Sequence, residues 1–133
     1  HNKAMKVLKE EMILNCSAME LWSIISDVSR CDWVPSVEEI KIEADCRVFE
    51  MEGMGTVKEQ ILINDDNKMK LQYSAIETIT PINHHLATMH ITAIDKDTCS
   101  FSWTTEIDPE IYADAIHQGM MISIDGIKKV ICN

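Results

Sequence analysis

The stretch DPEIYADAIHQGMMISIDGIKKVIC, Asp108 to Cys132, decides how the rest of the chain is read. Asp108 is a helix N-cap acceptor, Pro109 stands where its missing N–H does no harm, and Glu110 suits the positive first turn of a helix dipole. No further proline interrupts the next six or so turns, and Tyr112, Ala115, Ile116, Gly119, Met120, Ile127, Val130 and Ile131 share one broad apolar side. Upstream, most of the chain carries strand signals. A long amphipathic helix after many strands needs a sheet to cover, and a twisted antiparallel sheet can wrap around it.

The strands come from period-two patterning. Lys6–Leu14 reads as a first strand, and Ser17-Ala18-Met19-Glu20 reads as a capping box that opens a helix. Ala18, Leu21, Trp22, Ile25 and Val28 mark its buried face. Ser29-Arg30-Cys31-Asp32 offers a second helix start, which Pro35 limits to a turn or two, so a helix, a kink and a short second helix are expected. Further strands are expected over Val37–Glu43, Arg47–Glu52, Thr56–Asn64, Met69–Glu77, His85–Ile94 and Thr98–Ile107. Turn signals separate them at Ala44-Asp45, Gly53-Met54-Gly55, Asp65 to Lys68, Thr80 to Asn83 and Asp95 to Asp97.

Alternation sorts the strand side chains into two faces. Val57, Glu59, Ile61 and Ile63 fall on one side, as do Met69, Leu71, Tyr73 and Ala75. So do Ala87, Met89, Ile91 and Ala93, and Phe101, Trp103, Thr105 and Ile107. The opposite face is largely polar, with Lys58, Gln60, Lys70, Gln72, Thr88, His90, Thr92, Ser100, Ser102, Thr104 and Glu106. The apolar, concave face therefore carries misfits: Glu59, Tyr73, Thr105 and Arg47. Centring the first hairpin on Met54 puts Phe49 opposite Glu59 with Arg47 on a diagonal; centring the next on Asp66 puts Glu59 opposite Tyr73. An acid, a phenol and a guanidinium converging in an apolar concavity suit the polar handle of a greasy ligand.

Composition bounds the alternatives. At 133 residues the chain fits one domain, with residues 1–4 read as a remnant or frayed terminus and 5–133 as a ligand-binding domain. Apolar residues make up 46% and charged ones 26%, which excludes a disordered or fibrous class. The formal net charge is −10 and no basic cluster exists to neutralise phosphates, so nucleic acid is not an expected partner. No apolar run approaches the roughly 18 residues needed to span a bilayer. Five scattered cysteines, Cys16, Cys31, Cys46, Cys99 and Cys132, form no C-x-x-C pair and come after no secretory segment, pointing to reduced thiols in a cytoplasmic protein.

The residues Trp22, Trp33-Val34-Pro35, Arg47 before the G-x-G turn, Glu59, Asp65-Asp66, Leu71-x-Tyr73, Pro81 and Trp103 resemble the polyketide cyclase/dehydrase-like branch of the START and birch-allergen-like superfamily. The resemblance covers nearly the whole chain from Lys6. It implies an α+β helix-grip fold: a seven-stranded antiparallel sheet wrapped around a long C-terminal helix, with two short helices after the first strand. Its members bind lipids, hormones and polyketides between sheet and helix, and some are cyclases or aromatases. The plant abscisic-acid receptors are similar in carrying a glutamate after a mobile gate loop, as Glu59 comes after Gly53-Met54-Gly55. The full gate motif and the receptors' pocket lysine have no match, so hormone recognition is not carried over.

The leading expectation is a binder of a small apolar molecule that needs no cofactor. Its ligand-binding set comprises Arg47, Phe49, Met51, Val57, Glu59, Ile61, Leu71 and Tyr73 on the middle strands. Ala87, Met89, Ile91, Phe101, Trp103 and Thr105 continue it on the last two strands, and Tyr112, Ile116 and Met120 on the helix. The alternative is a cyclase or dehydratase with Glu59 as acid or base and Tyr73 hydrogen-bonding an enolate. A protein-interaction module with a filled core is the third. His84, His85 and His90 do not form a metal site, because 85 and 90 have opposite strand parity, and His117 is expected to face solvent. Gly119 is expected to admit close helix–sheet approach or a ligand, and Gly126 to mark a bend.

Overall fold

In the computed structural model, which describes residues 5–131, seven strands form one antiparallel sheet. In chain order they are β1 (Lys6–Leu14), β2 (Ile40–Glu43), β3 (Cys46–Met51), β4 (Gly55–Asp65), β5 (Lys70–Glu77), β6 (His84–Ala93) and β7 (Cys99–Asp108). The spatial order is β1-β7-β6-β5-β4-β3-β2, so every sequential pair from β2 onward is a hairpin and β1 closes against β7. Helix α1 (Ala18–Ile25) comes after β1, and the long helix α2 (Ala113–Ile131) ends the described chain. This is the helix-grip architecture. The expectations for residues 1–4 and for Cys132 lie outside the described residues.

Local chemistry accounts for the ends of the elements. Ser17 caps α1 by accepting the Glu20 N–H at 3.0 Å. The Trp22 indole donates to Asp66 at 2.8 Å and ties that helix to the β4–β5 turn. The second short helix does not form: Arg30, Val34 and Val37 donate to carbonyls three residues back, making successive separate turns. Ser29, expected as an N-cap, instead gives both its N–H and its hydroxyl to Asp27. Arg30 is drawn into a fork on Asp32. β2 consequently starts at Ile40 instead of Val37.

At the other end, Asp108 closes β7, and its carbonyl accepts the Asn83 N–H at 2.7 Å. It is therefore not the N-cap of the long helix. A 3-10 turn over Glu110–Tyr112 intervenes, and α2 begins at Ala113. The helix buries Ala113, Met120, Ser123, Ile124, Gly126 and Ile127, whereas Ala115 and Gly119 are exposed. Ala115 and Gly119 still lie on the side of Ile116 and Met120, facing the sheet, and are exposed because they border open space there.

Strand register sets where the polar residues meet, and it departs from the expected pairing at two places. The β3–β4 hairpin is centred on Gly53, which takes φ +83° as only glycine does cheaply, and not on Met54. Arg47 is accordingly directly opposite Glu59, and Phe49 opposite Val57. In the β4–β5 pair Glu59 faces Ala75 and Ile61 faces Tyr73, with a bulge between Ile61 and Ile63. The bulge turns Ile63 to the outer face beside Gln72 and brings Asn64 inward beside Leu71. There Asn64 donates to the Ser26 carbonyl at the end of α1 at 3.1 Å. Ile63 is thus not a concave residue.

Candidate functional site

The concave face divides into a filled part and a hollow part. Leu14, Leu21, Trp22, Ile25, Leu71, Met89, Ile91, Phe101, Ile124 and Ile127 pack into one cluster beneath α1 and the C-terminal half of α2. The expected ligand-binding residues Leu71, Ala87, Met89, Ile91 and Phe101 belong to this packed core, with Ile61 against it, and none of them lines the cavity. Helix α1 takes the space that a ligand would need there. The expectation for these six is corrected accordingly.

The hollow part is a cavity of about 240 Å³ between the sheet, α2 and the loop from Arg30 to Val37. Of the expected set, Arg47, Phe49, Met51, Val57, Glu59, Tyr73, Trp103, Thr105, Tyr112, Ile116 and Met120 line it. Exposed Met54, Thr80, Ala115 and Gly119 are also in its wall, so the cavity opens to solvent past the β3–β4 and β5–β6 loops and the first turns of α2. A Cβ placed on Gly119 would meet nothing within 4 Å. On Gly126 it would stand 2.0 Å from the Trp33 carbonyl oxygen. The expected roles are thereby redistributed: Gly126 allows close approach of a loop backbone, and Gly119 borders space.

At the polar pole of the cavity, cross-strand pairing brings Arg47 and Glu59 together, Nε to Oε1 at 2.7 Å. Their side chains are 7% and 13% exposed, so this pair is buried. Arg47 also donates to the Val28 carbonyl at 3.4 Å and lays its guanidinium 4.6 Å from the Tyr73 ring centroid. Burial works against the arginine's charge. The Glu59 carboxylate and the Tyr73 oxygen outweigh it and hold the guanidinium above its ordinary range. Burial, seconded by the Glu59 charge, pushes the Tyr73 phenol well above its usual value. Arg47 and the Trp103 N–H, which lies near the phenol oxygen but outside hydrogen-bond geometry, oppose that shift.

His85, which the sequence brings up only beside His84 and His90 as a rejected metal ligand, is a fourth polar group here. It shares strand parity with Ala87, Met89 and Ile91, which is the available signal. Its Nδ1 accepts the Ala75 N–H at 2.9 Å, in place of a ladder bond at the point where β5 leaves β6. Burial lowers its pKa, with Glu59 opposing and His84 assisting. Of the other histidines, His84 pairs with Glu106 on the outer face, and His117, expected to face solvent, is part-buried against Glu10 of β1 at 2.7 Å. Trp33 is a further lining residue absent from the expected set, although its segment carries part of the family resemblance. It packs edge-on to Trp103 with ring centroids 6.4 Å apart. The indole N–H groups of Trp33 and Trp103 are buried without a hydrogen-bond partner among the described residues, a state that costs about 1–3 kcal/mol per group.

A sheet gripping a helix around an apolar cavity with a buried polar pole defines a small-molecule-binding class of fold. The chain belongs to the polyketide cyclase / dehydrase and lipid transport family, whose model matches residues 5–123. Among solved structures it is similar to an uncharacterised protein from Bacillus thuringiensis, with 17% identity over 96% of this chain and 100% of that one at a TM-score of 0.86. It is similar also to norcoclaurine synthase from Thalictrum flavum in complex with dopamine and hydroxybenzaldehyde: 21% identity, 96% and 87% of the two chains, TM-score 0.78. The Zhui aromatase/cyclase from a Streptomyces species is 12% identical over 94% and 92%, also at 0.78. At these identities the likeness is one of fold. No curated protein matches the sequence.

Proposed function

We propose that this protein binds a small, mainly apolar molecule in the cavity between the sheet and α2, with Arg47, Glu59 and Tyr73 meeting its polar end. The supporting observation is the cavity of about 240 Å³, apolar for most of its wall and closed at one end by a buried ion pair. An engineered apolar cavity of roughly 150 Å³ accommodates benzene, so this one suits a body of one or two rings. The cavity speaks against a filled-core interaction module. No described helix is long and apolar enough to cross a membrane, and none of the described cysteines is in a disulfide; a reducing, cytoplasmic setting fits this reading.

Native mass spectrometry of protein purified from its own host is the direct test, with a bound small molecule as the expected result. A fluorescent apolar probe tests it independently. Gly119→Trp would fill the cavity and should abolish probe binding while leaving the circular dichroism spectrum unchanged. Failure of the wild-type protein to bind either kind of molecule would refute the proposal.

The family match and the fold shared with a synthase and an aromatase/cyclase favour a second reading, a cyclase or dehydratase in which Glu59 moves a proton and Tyr73 hydrogen-bonds an enolate. Glu59 would then have to release Arg47 or use its second oxygen. Turnover of an aromatic or polyketide-like substrate that disappears in Glu59→Gln, with ligand affinity retained, distinguishes catalysis from binding.

A further inference from the structure

Strand register aligns Arg47, Glu59, Ala75, His85 and Ile107 in one row across the sheet. Arg47 is opposite Glu59, Glu59 is opposite Ala75, and His85 is opposite Ile107. The β5–β6 ladder ends at Tyr73 and Ala87, but its register continues to Ala75 and His85, where the Ala75 N–H goes to the imidazole and the Ser74 hydroxyl to the His85 carbonyl. All five residues of the row line the cavity. Glu59 and His85 are thus two strands apart, about 10 Å of backbone, and the side chain between them is a methyl group. The Glu59 charge is near enough to act on the imidazole.

Each of the two ends in an unused atom. Arg47 engages Oε1 of Glu59, and Oε2 has no hydrogen-bond partner among the described residues. On His85, Nδ1 accepts the Ala75 N–H, so the single proton of the neutral ring sits on Nε2, which is likewise unpartnered there. Neither atom is sealed from solvent, in contrast to the indole nitrogens of Trp33 and Trp103. The row therefore offers an oxygen that can only accept and an N–H that donates, one on each side of Ala75.

We infer that His85 is a ligand-binding residue and that, with Glu59, it selects a hydroxyl group, phenolic or enolic, on a ring-sized apolar body. The hydroxyl lies over Ala75, donates to Oε2 of Glu59 and accepts from Nε2–H of His85. A hydroxyl does both with one oxygen. A ketone oxygen only accepts and leaves the carboxylate oxygen without a donor, whereas an ammonium only donates and leaves the imidazole N–H without an acceptor. Each mismatch strands a group that the ligand has taken out of water, which is where discrimination arises. Arg47 keeps its bond to the other carboxylate oxygen throughout, so the ion pair stays intact. This inference rests on the binding function proposed above, and adds to it one residue and the chemistry of the ligand's polar end.

Three probes of similar size separate the possibilities: 4-ethylphenol, 4-ethyltoluene and acetophenone, titrated into the full chain carrying ¹⁵N-labelled histidine. 4-Ethylphenol should bind about tenfold more tightly than either of the others, the effect of one well-placed hydrogen bond. It should move the His85 Nε2 resonance and leave those of His84 and His90, on the outer face, in place. His85→Phe keeps a ring and removes the donor; it should erase most of the phenol's advantage while changing 4-ethyltoluene affinity less than about twofold. His85→Gln, whose amide still donates, should restore part of that advantage. Equal affinity for 4-ethylphenol and 4-ethyltoluene, a preference for acetophenone, or a phenol advantage that survives in His85→Phe overturns the inference and leaves the cavity as a ligand site. Binding of none of the three overturns the proposed function and this inference together. Should the variants fail to fold, the wild-type spectra decide, because a His85 Nε2 signal unmoved in the 4-ethylphenol complex contradicts it.

Discussion

Gly119 and Gly126 lie two turns apart on one helix and meet opposite surroundings. Around Gly126 the helix is pressed against the Trp33 backbone, and Ile124 and Ile127 are fully packed; around Gly119 the helix roofs a void. The same element is thus half core and half lid. A residue's cost or benefit here depends on which half it occupies and not on its helix propensity, which is identical for the two glycines.

The contrast between the halves fails first if the hollow one is not held open by its ion pair. Arg47→Met leaves Glu59 buried without its cation, and such breaks cost about 3–5 kcal/mol. Urea denaturation should show that loss, and the double variant Arg47→Met/Glu59→Leu should recover much of it, since the pair is removed as a unit. A single variant of near wild-type stability would mean that water reaches the pole freely.

Next in size is Gly126→Ala. The new methyl would overlap a backbone oxygen that no rotamer change can move aside, so a loss of about 1–3 kcal/mol is expected despite the gain in helix propensity. Gly119→Ala should go the other way, raising stability by about 0.5–1 kcal/mol because its methyl meets nothing. The same methyl takes space from the cavity, so binding of a close-fitting apolar probe should weaken. Equal signs for the two alanine variants in denaturation would erase the distinction between the halves.

The smallest expected signal is a slope with pH. Burial lowers the His85 pKa from 6.5, so the unfolded chain takes up the proton first as the pH falls. The stability due to keeping His85 neutral is fully present above about pH 6.5 and is lost as the pH drops from there through the folded-state value. Protonation at Nδ1 would also remove the acceptor for the Ala75 N–H. Denaturation midpoints of wild type and His85→Gln between about pH 7.5 and pH 5 should therefore converge toward the acid end. Parallel curves would show that the imidazole titrates as freely as in solvent.

Much of this is legible without coordinates, because strand alternation and helical period are local properties of the chain. They put Arg47, Glu59, Tyr73, Trp103 and Thr105 on the concave face, and all of them line the cavity. The same alternation puts His85 on that face. Its importance is hidden because its partner is a backbone N–H on the neighbouring strand, which no spacing reveals. Alternation misassigns Ile63 because one bulge reverses every face assignment beyond it. The second helix gives way to separate turns, with Asp27 taking the Ser29 N–H and hydroxyl and Arg30, Val34 and Val37 each closing a turn three residues back.

What the sequence determined by itself is therefore the inventory: seven strands, a capping helix, a long closing helix, and a few polar residues among apolar ones on the inner face. Tertiary structure decided which inner-face residues are core and which are wall. Phe101 and Trp103 are two residues apart on one strand with the same parity, yet one is sealed beneath α1 and α2 and the other faces the cavity. Alternation specifies direction, one residue at a time. Whether a side chain pointing inward meets atoms or space depends on how α1, the Trp33 loop and both halves of α2 together fill the concavity, a volume set by all of them at once.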